Sequence, residues 1–335
     1  MTHQMHHQRS GGERVGIERI AEVLAGPPRK VLITTHRNPD GDAAGSMIGL
    51  ARVLGRLGHD VMMWHGDGPG LPADLAWMLA PGEEVVSGPV PDHAERLLVS
   101  VDAATSHRVS DLDPGDLGAR IVNVDHHHDN PAWGDLNLID AGASSTAEIV
   151  VRLADALGVE IDESIAIPLY VGIVTDTGRF SYGSTGSEAH RAAARLIEAG
   201  VEPGAIYRRV YEGTPVGDLR LAGRAIAGAR TEHDGRLVVA VITRDDIEAS
   251  GGTDSDGVVE ALRAADGVIV AAVIREVGEG EWRVSTRASG DAVDVSAIAA
   301  LEGGGGHRAA AGFTSHRDPD AIIALIGDAM IAQGI

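Results

Sequence analysis

The chain has 335 residues and no cysteine. That absence excludes a disulfide framework, a zinc–thiolate site, an iron–sulfur cluster and a thiol nucleophile. Any bound metal must therefore be held by oxygen and imidazole. Aromatic residues are scarce, at 3%. Positive charge is scarce as well: 28 Lys plus Arg stand against 49 Asp plus Glu, a formal net charge of −21. Such a chain does not wrap long DNA or RNA electrostatically, because that mode needs a basic footprint. A local positive site for a small anion stays open. No apolar run approaches the roughly 18 residues that span a membrane. Residues 1–14 lack the apolar core of a signal peptide. They read as a disordered tail, with adventitious metal binding by His3, His6 and His7 as the other use of this segment. A cytoplasmic protein is the default.

What is abundant is small and aliphatic. The 44 glycines are about twice the usual share of roughly 7%. Together with Ala, Val, Ile and Leu they suggest an α/β protein rich in glycine loops. The length fits about two domains. Short apolar strands are expected at Val31–Thr35, Val61–Trp64, Leu97–Val101 and Ile121–Val124. Helices are expected at 43–57, 145–157 and 187–198. The apolar stretch Ile165–Thr175 reads as a buried helix, with strand as the alternative. Strands spaced by helical patterns imply βαβ units and a mostly parallel sheet. From about Leu219 the pattern becomes that of a smaller α+β domain. The expected division is a tail (1–14), a first domain (15–202), a linker (203–217) containing Pro203, Gly204, Gly213 and Pro215, and a second domain (218–335).

Five constellations carry chemistry. Thr35 to Ser46 follows a strand and opens a helix. Pro39 and Gly41 turn the chain so that His36, Asp40 and Asp42 can share one space; a capped Asp-rich turn is the plain alternative. Asp102 ends a strand, where a helix N-cap is the plain reading. Asp125-His126-His127-His128 ends another strand, with a solvated polar loop as its alternative. Asp176 ends the apolar segment, where a carboxylate is costly unless paired, ligated or exposed at a helix end. A parallel sheet gathers such ends at one edge. About six oxygen and nitrogen ligands without cysteine suit Mn²⁺ or a similar divalent ion. Six exceed one ion's needs beside waters, so two ions sharing a carboxylate are expected, as in centres that activate water against a phosphoryl group. In the second domain, Gly303 to Gly306 before His307 suggests backbone amides at a helix start that approach an anion, or a flexible hinge. Arg287 follows a strand and offers a planar donor fork for phosphate, or is a surface arginine.

The motifs His36-x-x-Pro39-Asp40-Gly41-Asp42, Asp102, Asp125-His126-His127 and Asp176 resemble, in order, the four motifs of the DHH-family phosphoesterases. The Gly303–His307 segment with its Ala-Ala-Gly tail resembles the glycine-rich signature of the DHH-associated C-terminal domain, and Arg287 with Ser289 resembles its Arg-x-Ser phosphate contact. The resemblance is nearest to the oligoribonuclease branch and covers nearly all of the chain beyond the tail. It implies two α/β lobes with a cleft between them, usually dimeric through the first lobe. It implies one Mn²⁺ on His36, Asp40 and Asp102 and a second on Asp42, Asp102, His126 and Asp176, with Co²⁺ or Mg²⁺ as substitutes. Asp102 would bridge, His127 would contact the scissile phosphate or leaving oxygen, and Asp125 would orient the histidines. Arg287, Ser289, Gly305, Gly306 and His307 would grip a terminal phosphate or nucleotide. The role of the additional His128 stays open.

The implied activity is hydrolysis of short nucleotides by two-metal activation of water: oligoribonucleotides of a few residues, 3′-phosphoadenosine 5′-phosphate, or cyclic di-AMP and its linear products. No long nucleic acid and no membrane partner is expected. A manganese inorganic pyrophosphatase shares the four motifs but lacks the glycine–histidine signature. Long single-strand exonucleases carry further nucleic-acid-binding domains. A non-catalytic nucleotide sensor would be expected to lack ligands, yet all six positions are filled.

Overall fold

The computed structural model describes residues 10–66, 68, 70–110, 120–290 and 292–335. Residues 1–9 of the expected tail, with their histidines, lie outside the described residues. The chain divides into two compact units that part between Glu212 and Gly213. No helix among the described residues is long and apolar enough to cross a membrane.

The first unit opens with β1 (Glu13–Arg14), α1 (Ile17–Leu24), β2 (Lys30–Thr34), α2 (Gly41–Arg56) and β3 (Asp60–Trp64). It continues with β4 (Val85–Val86), β5 (Leu97–Val101), α3 (Ser106–Val109), β6 (Arg120–Asp125) and β7 (Leu136–Ile139). Four helices close it: α4 (Thr146–Ala156), α5 (Glu163–Asp176), α6 (Ser187–Glu198) and α7 (Pro203–Tyr211). The seven strands run in the order β1-β7-β6-β5-β2-β3-β4, and every adjacent pair is parallel. Val31, Ile33, Val99, Val122 and Val124 pack into the core under the helices. Leu32, Leu98 and Ile121 pack on the other face with Val90, Val109 and Trp133. Burial on both faces is why these strands read as unbroken apolar runs.

Two expected boundaries change. Gly11 and Gly12 donate to the carbonyls of Pro131 and Ala132 (3.0 and 2.8 Å), so the chain is already docked as it enters the edge strand β1 and is not tail there. The buried Asn137 of β7 holds this edge, donating to the Glu13 carbonyl (3.2 Å). Residues 203–217, expected as a linker, contain helix α7, which belongs to the first unit. Pro203 stands at its first turn, where a missing N–H costs nothing.

Helices α2 and α5 approach closely because α2 carries Gly41, Gly45 and Gly49 at four-residue spacing. A Cβ on these would lie 2.4 Å from Thr175 Oγ1, 2.2 Å from the Pro168 carbonyl and 2.5 Å from Leu169. The stretch 165–175 is therefore a helix, and it contains Pro168. A proline leaves the carbonyl four residues back without its helical partner. Here that is the Ser164 carbonyl, which accepts from the Arg52 guanidinium.

The second unit comprises α8 (Val216–Ala227), β8 (Arg230–Glu232), β9 (Leu237–Ile242), α9 (Arg244–Ser250), α10 (Asp256–Arg263), β10 (Val270–Gly278) and β11 (Glu281–Ala288). It ends with α11 (Val295–Ala300), β12 (Gly305–His307), β13 (Ala310–Ser315) and α12 (Pro319–Ala332). Its six strands run β12-β13-β11-β10-β9-β8. Only β9 and β10 are parallel; the other pairs are antiparallel. Contrary to the expectation from sequence, the glycine run does not open a helix. It follows α11 and enters the edge strand β12. A Cβ on Gly304 would lie 2.3 Å from the Gly312 carbonyl, so this glycine serves close strand approach.

Candidate metal centre

Strands β6, β5 and β2 are neighbours in the middle of the parallel sheet. Their carboxyl ends therefore lie along one edge, where open α/β sheets bind ligands. The loop after β2 supplies His36, Asp40 and Asp42. Asp102 follows β5 directly, Asp125 is the last residue of β6, and His126 and His127 come next. Helix α5 ends in Asp176. All six residues expected as metal ligands meet in overlapping groups: His36, Asp40 and Asp102; Asp102, His126 and His127; Asp42, His126 and Asp176. Within each group the donor atoms lie within 4.8 Å of one another.

The separations have a chemical meaning. His36 Nε2 lies 3.6 Å from Asp102 Oδ2 and 3.9 Å from Asp40 Oδ2. His126 Nε2 lies 3.6 Å from Asp102 Oδ1 and 3.4 Å from Asp176 Oδ2. These exceed hydrogen-bond distance. They match the roughly 3–4 Å between two donors that each sit about 2.1 Å from a shared ion. Asp102 stands in the first two groups and touches His126, which belongs to the third. Its φ of 53° is left-handed, a strained conformation for a non-glycine residue that Asp tolerates better than most. The strain turns its carboxylate between His36 and His126.

The first loop is a capped Asp-rich turn, and the same turn brings His36, Asp40 and Asp42 to the cluster. Asp40 caps α2, its Oδ1 accepting from the amides of Asp42 and Ala43 (3.1 and 3.0 Å). Its Oδ2 faces His36. Asp42 is buried and accepts from two amides at the start of α4, Thr146 N (2.6 Å) and Ala147 N (2.9 Å). Thr146 Oγ1 also donates to Asp102 Oδ1 (3.1 Å). Thr146 was not expected from sequence, although its place at N1 after the Ser145 cap marks a helix start that favours carboxylates.

Behind His127 a polar chain runs into the core. His127 Nδ1 lies 2.8 Å from Asp125 Oδ1. Asp125 Oδ2 accepts from Asn130 Nδ2 (2.6 Å), which also reaches Asn123 Oδ1 (2.9 Å). Asn130 is a second residue that sequence reasoning passed over; its only signal is its place before Pro131. His128 is exposed in the following turn.

Crowded carboxylates leave the cluster short of positive charge. Burial raises the Asp42 pKa well above the ordinary carboxylate value, helped by repulsion from Asp102 and Asp176. Burial, then Asp102 and Asp40, push Asp176 up to about 8. Burial also opposes charge on Asp102, but the contact with His36 and the imidazoles of His126 and His127 hold its carboxyl far below the usual range. Burial disfavours charge on His127 as well, yet Asp125 holds it up at about 9. A divalent cation would relieve this repulsion, and a donor set of carboxylate and imidazole suits a hard or borderline ion. The residues present fit such a centre.

The second unit carries a cavity of about 720 Å³. Its floor is one face of the antiparallel sheet: Arg283, Ser285 and Arg287 of β11, with Ala310, Gly312 and Thr314 of β13 beside them. Gly305 and Gly306 line it, as expected. Arg287 lines it with Nε on Glu260 Oε1 (2.7 Å). Ser289, expected as a phosphate contact, is not among the lining residues; its hydroxyl donates to the Arg263 carbonyl (3.4 Å). Ser285, two residues before Arg287 on the same face of the strand, lines the cavity instead. The His307 side chain lies outside the described residues.

Comparison with known proteins agrees with this geometry. Residues 30–173 match the DHH family, N-terminal domain, and residues 234–331 match the DHHA1 domain. The chain is 37% identical over 300 residues to the bifunctional oligoribonuclease and PAP phosphatase NrnA of Thermus thermophilus, covering 88% of this chain and 87% of that one. It is 29% identical over 314 residues to the cyclic-di-AMP phosphodiesterase GdpP of Geobacillus thermodenitrificans, covering 88% of this chain and 46% of the relative. Among solved structures, an exopolyphosphatase-related protein from Bacteroides fragilis has the same fold. Its TM-score is 0.83 at 23% identity, over 94% of this chain and 95% of the other. The chain belongs to the DHH family and carries a DHHA1 domain as its second unit.

Proposed function

We propose that the protein is a metal-dependent phosphoesterase that hydrolyses oligoribonucleotides of a few residues and 3′-phosphoadenosine 5′-phosphate. Cyclic di-AMP and linear dinucleotides are the next substrates in order. The observation that carries the reading is the meeting of His36, Asp40, Asp42, Asp102, His126 and Asp176 in one cluster at the sheet edge. The name of the Thermus relative supports the two leading substrates, and the phosphodiesterase relative supports the cyclic dinucleotide.

Two Mn²⁺ ions suit the donor set, one on His36, Asp40 and Asp102, the other on Asp42, Asp102, His126 and Asp176. Bound there, they supply Lewis acidity for a phosphoryl group and lower the pKa of a water. The chain's own residues do the positioning. Amides at the start of α4 and Ser46 Oγ hold Asp42. Asp125 and Asn130 hold His127 by Nδ1, which leaves Nε2 as the atom that would meet the scissile phosphate or the leaving oxygen. The cavity of the second unit takes the nucleotide through Arg287, Ser285, Gly305 and Gly306, with Ser289 supporting the wall and His307 at the glycine edge. The match to a DHHA1 domain favours this reading over a manganese pyrophosphatase. A homodimer accompanies it, testable by sedimentation.

The test is a substrate panel with purified protein and added Mn²⁺, Co²⁺ or Mg²⁺, comparing kcat/KM. It contains di- to tetraribonucleotides, 3′-phosphoadenosine 5′-phosphate, cyclic di-AMP and pyrophosphate. Metal-dependent cleavage of the short RNAs and the bisphosphate is expected. Turnover of pyrophosphate alone, or of nothing with any ion, sinks the reading.

A further inference from the structure

Arg275 of β10 and Arg283 of β11 are direct cross-strand partners. Both line the cavity of the second unit. Like charges placed opposite each other in an antiparallel ladder destabilise it. Proteins ordinarily relieve such a pair with a carboxylate, and this chain has a large excess of acids. Yet neither arginine has a carboxylate within 4 Å among the described residues. Arg275 Nη2 donates to the Thr253 carbonyl (2.7 Å), and its buried Nε has no partner. Arg283 is exposed and makes no hydrogen bond or ion pair among the described residues. The acids nearby are spoken for. Glu302 lines the cavity but is held by Arg317 Nε (2.9 Å) and Ser315 Oγ (2.8 Å). Glu260 is shared by Arg263 and Arg287. Asp218 accepts from the amides of Thr253 and Asp254, and Arg275 attracts its carboxylate only from beyond ion-pair distance.

The floor between the arginines is small and open. Ser285 separates Arg283 from Arg287 on the exposed face, and Gly312 stands opposite Ser285. Nothing lies within 4 Å of a Cβ placed on Gly305. Four residues of strand put Arg283 about 13 Å from Arg287. A phosphate held at one of these arginines leaves the other unserved.

We infer that the Arg275–Arg283 pair is a second phosphate-binding position, distinct from the one at Arg287, so that the cavity takes a linear nucleotide chain bearing more than one phosphate beyond the bond being cleaved. Guanidinium groups suit it because each offers a planar fork of donors to phosphate oxygens. The inference deepens the proposed function and rests on it for the identity of the ligand. It ranks phosphorylated linear oligonucleotides above unphosphorylated dinucleotides.

The test compares ApA, whose single phosphate is the one cleaved, with pApApA, which keeps two more. The full-length protein with Mn²⁺ is measured as wild type, Arg283→Ala, Arg275→Ala and, because Arg275 is partly buried, also Arg283→Glu, which alters only an exposed side chain. For each arginine variant, kcat/KM for pApApA falls at least tenfold more than kcat/KM for ApA, with Arg283→Glu falling furthest. Losses equal within twofold on the two substrates, or no loss on pApApA, overturn the second phosphate position. If the wild type cleaves neither substrate, the proposed function has failed. The inference is then read by titration calorimetry of the same proteins, where preferential binding of pApApA over ApA must be lost in Arg283→Ala. Equal affinities in wild type and variant overturn it.

Discussion

The two units solve opposite electrostatic problems with opposite architectures. In the first, acids crowd a buried sheet edge, and nearly every donor has a second partner that fixes it. Asp40 is held by the α2 amides, Asp42 by the α4 amides and Asp102 by Thr146. In the second, Arg275, Arg283 and Arg287 line an open sheet face, and among the described residues only Arg287 has an ion-pair partner, Glu260. The difference follows from geometry. Carboxyl ends of parallel strands converge on a line, so they concentrate ligands from distant parts of the chain. An antiparallel face presents every second residue side by side, which suits an extended chain of repeating charge. A fixed ion needs rigid donors within 0.5 Å or so of their places; a nucleotide chain tolerates donors spaced along an open face.

The contrast breaks most visibly at Asp102. Asn keeps the shape and tolerates the left-handed φ of 53° better than other residues, but it carries no charge to share between ions. Asp102→Asn should lower metal-dependent kcat by about 10³-fold or more, the several kcal/mol a metal site supplies, with the bound metal content reduced and the circular dichroism unchanged. Full metal content and near-normal turnover would remove Asp102 from the centre.

How far each half was legible depends on where its residues lie in the chain. His36, Asp40, Asp102, His126 and Asp176 each stand within a few residues of an element's end, so strand order and parallel pairing are enough to gather them. Asn130 and Thr146 act through hydrogen bonds that a linear pattern does not mark. The Gly41, Gly45 and Gly49 stripe has no meaning within α2 alone, because its meaning lies in what α5 brings against it. Arg275 and Arg283 stand eight positions apart and become opposite only through the antiparallel register of β10 and β11. The glycine run misled for the same reason: its partner is Gly312 on β13, not a helix. Pro203 and Gly204 lie in the expected linker, yet they start α7, since a first-turn proline favours a helix.

Rigidity behind the centre is tested at Asn130. Removing its amide leaves Asp125 Oδ2 without the 2.6 Å bond and frees the His127 pair to shift. Loss of such a supporting partner typically costs 10- to 100-fold. Asn130→Ala should lower kcat by about that factor with KM little changed. An unchanged kcat would mean Asp125 is fixed by the backbone of β6 alone.

Close helix packing is the next point of attack. In Gly45→Ala the new methyl would sit 2.2 Å from the Pro168 carbonyl, a backbone atom that cannot step aside cheaply. Overpacking of this kind costs about 1–3 kcal/mol. The urea midpoint should fall accordingly at constant slope, and metal-dependent activity should fall with it, because α2 carries Asp42 and α5 carries Asp176. A loss of stability without loss of activity would separate the helix contact from the centre.

The same substitution in the second unit should do almost nothing to the fold. Gly305 lines the cavity, and a Cβ there meets no atom within 4 Å. Its backbone is not in the left-handed region, so alanine adds no strain of the kind it would at Gly303 or Gly306, whose φ values are 73° and 145°. Gly305→Ala should therefore change stability by no more than about 0.5 kcal/mol. Its methyl projects into space that the ligand needs, and affinity for a phosphorylated oligonucleotide should drop by up to about tenfold, the order that one methylene commands in a pocket. A destabilisation above about 1 kcal/mol with unchanged affinity would mean that this glycine serves the sheet rather than the ligand. The open face would then be as tightly built as the metal centre.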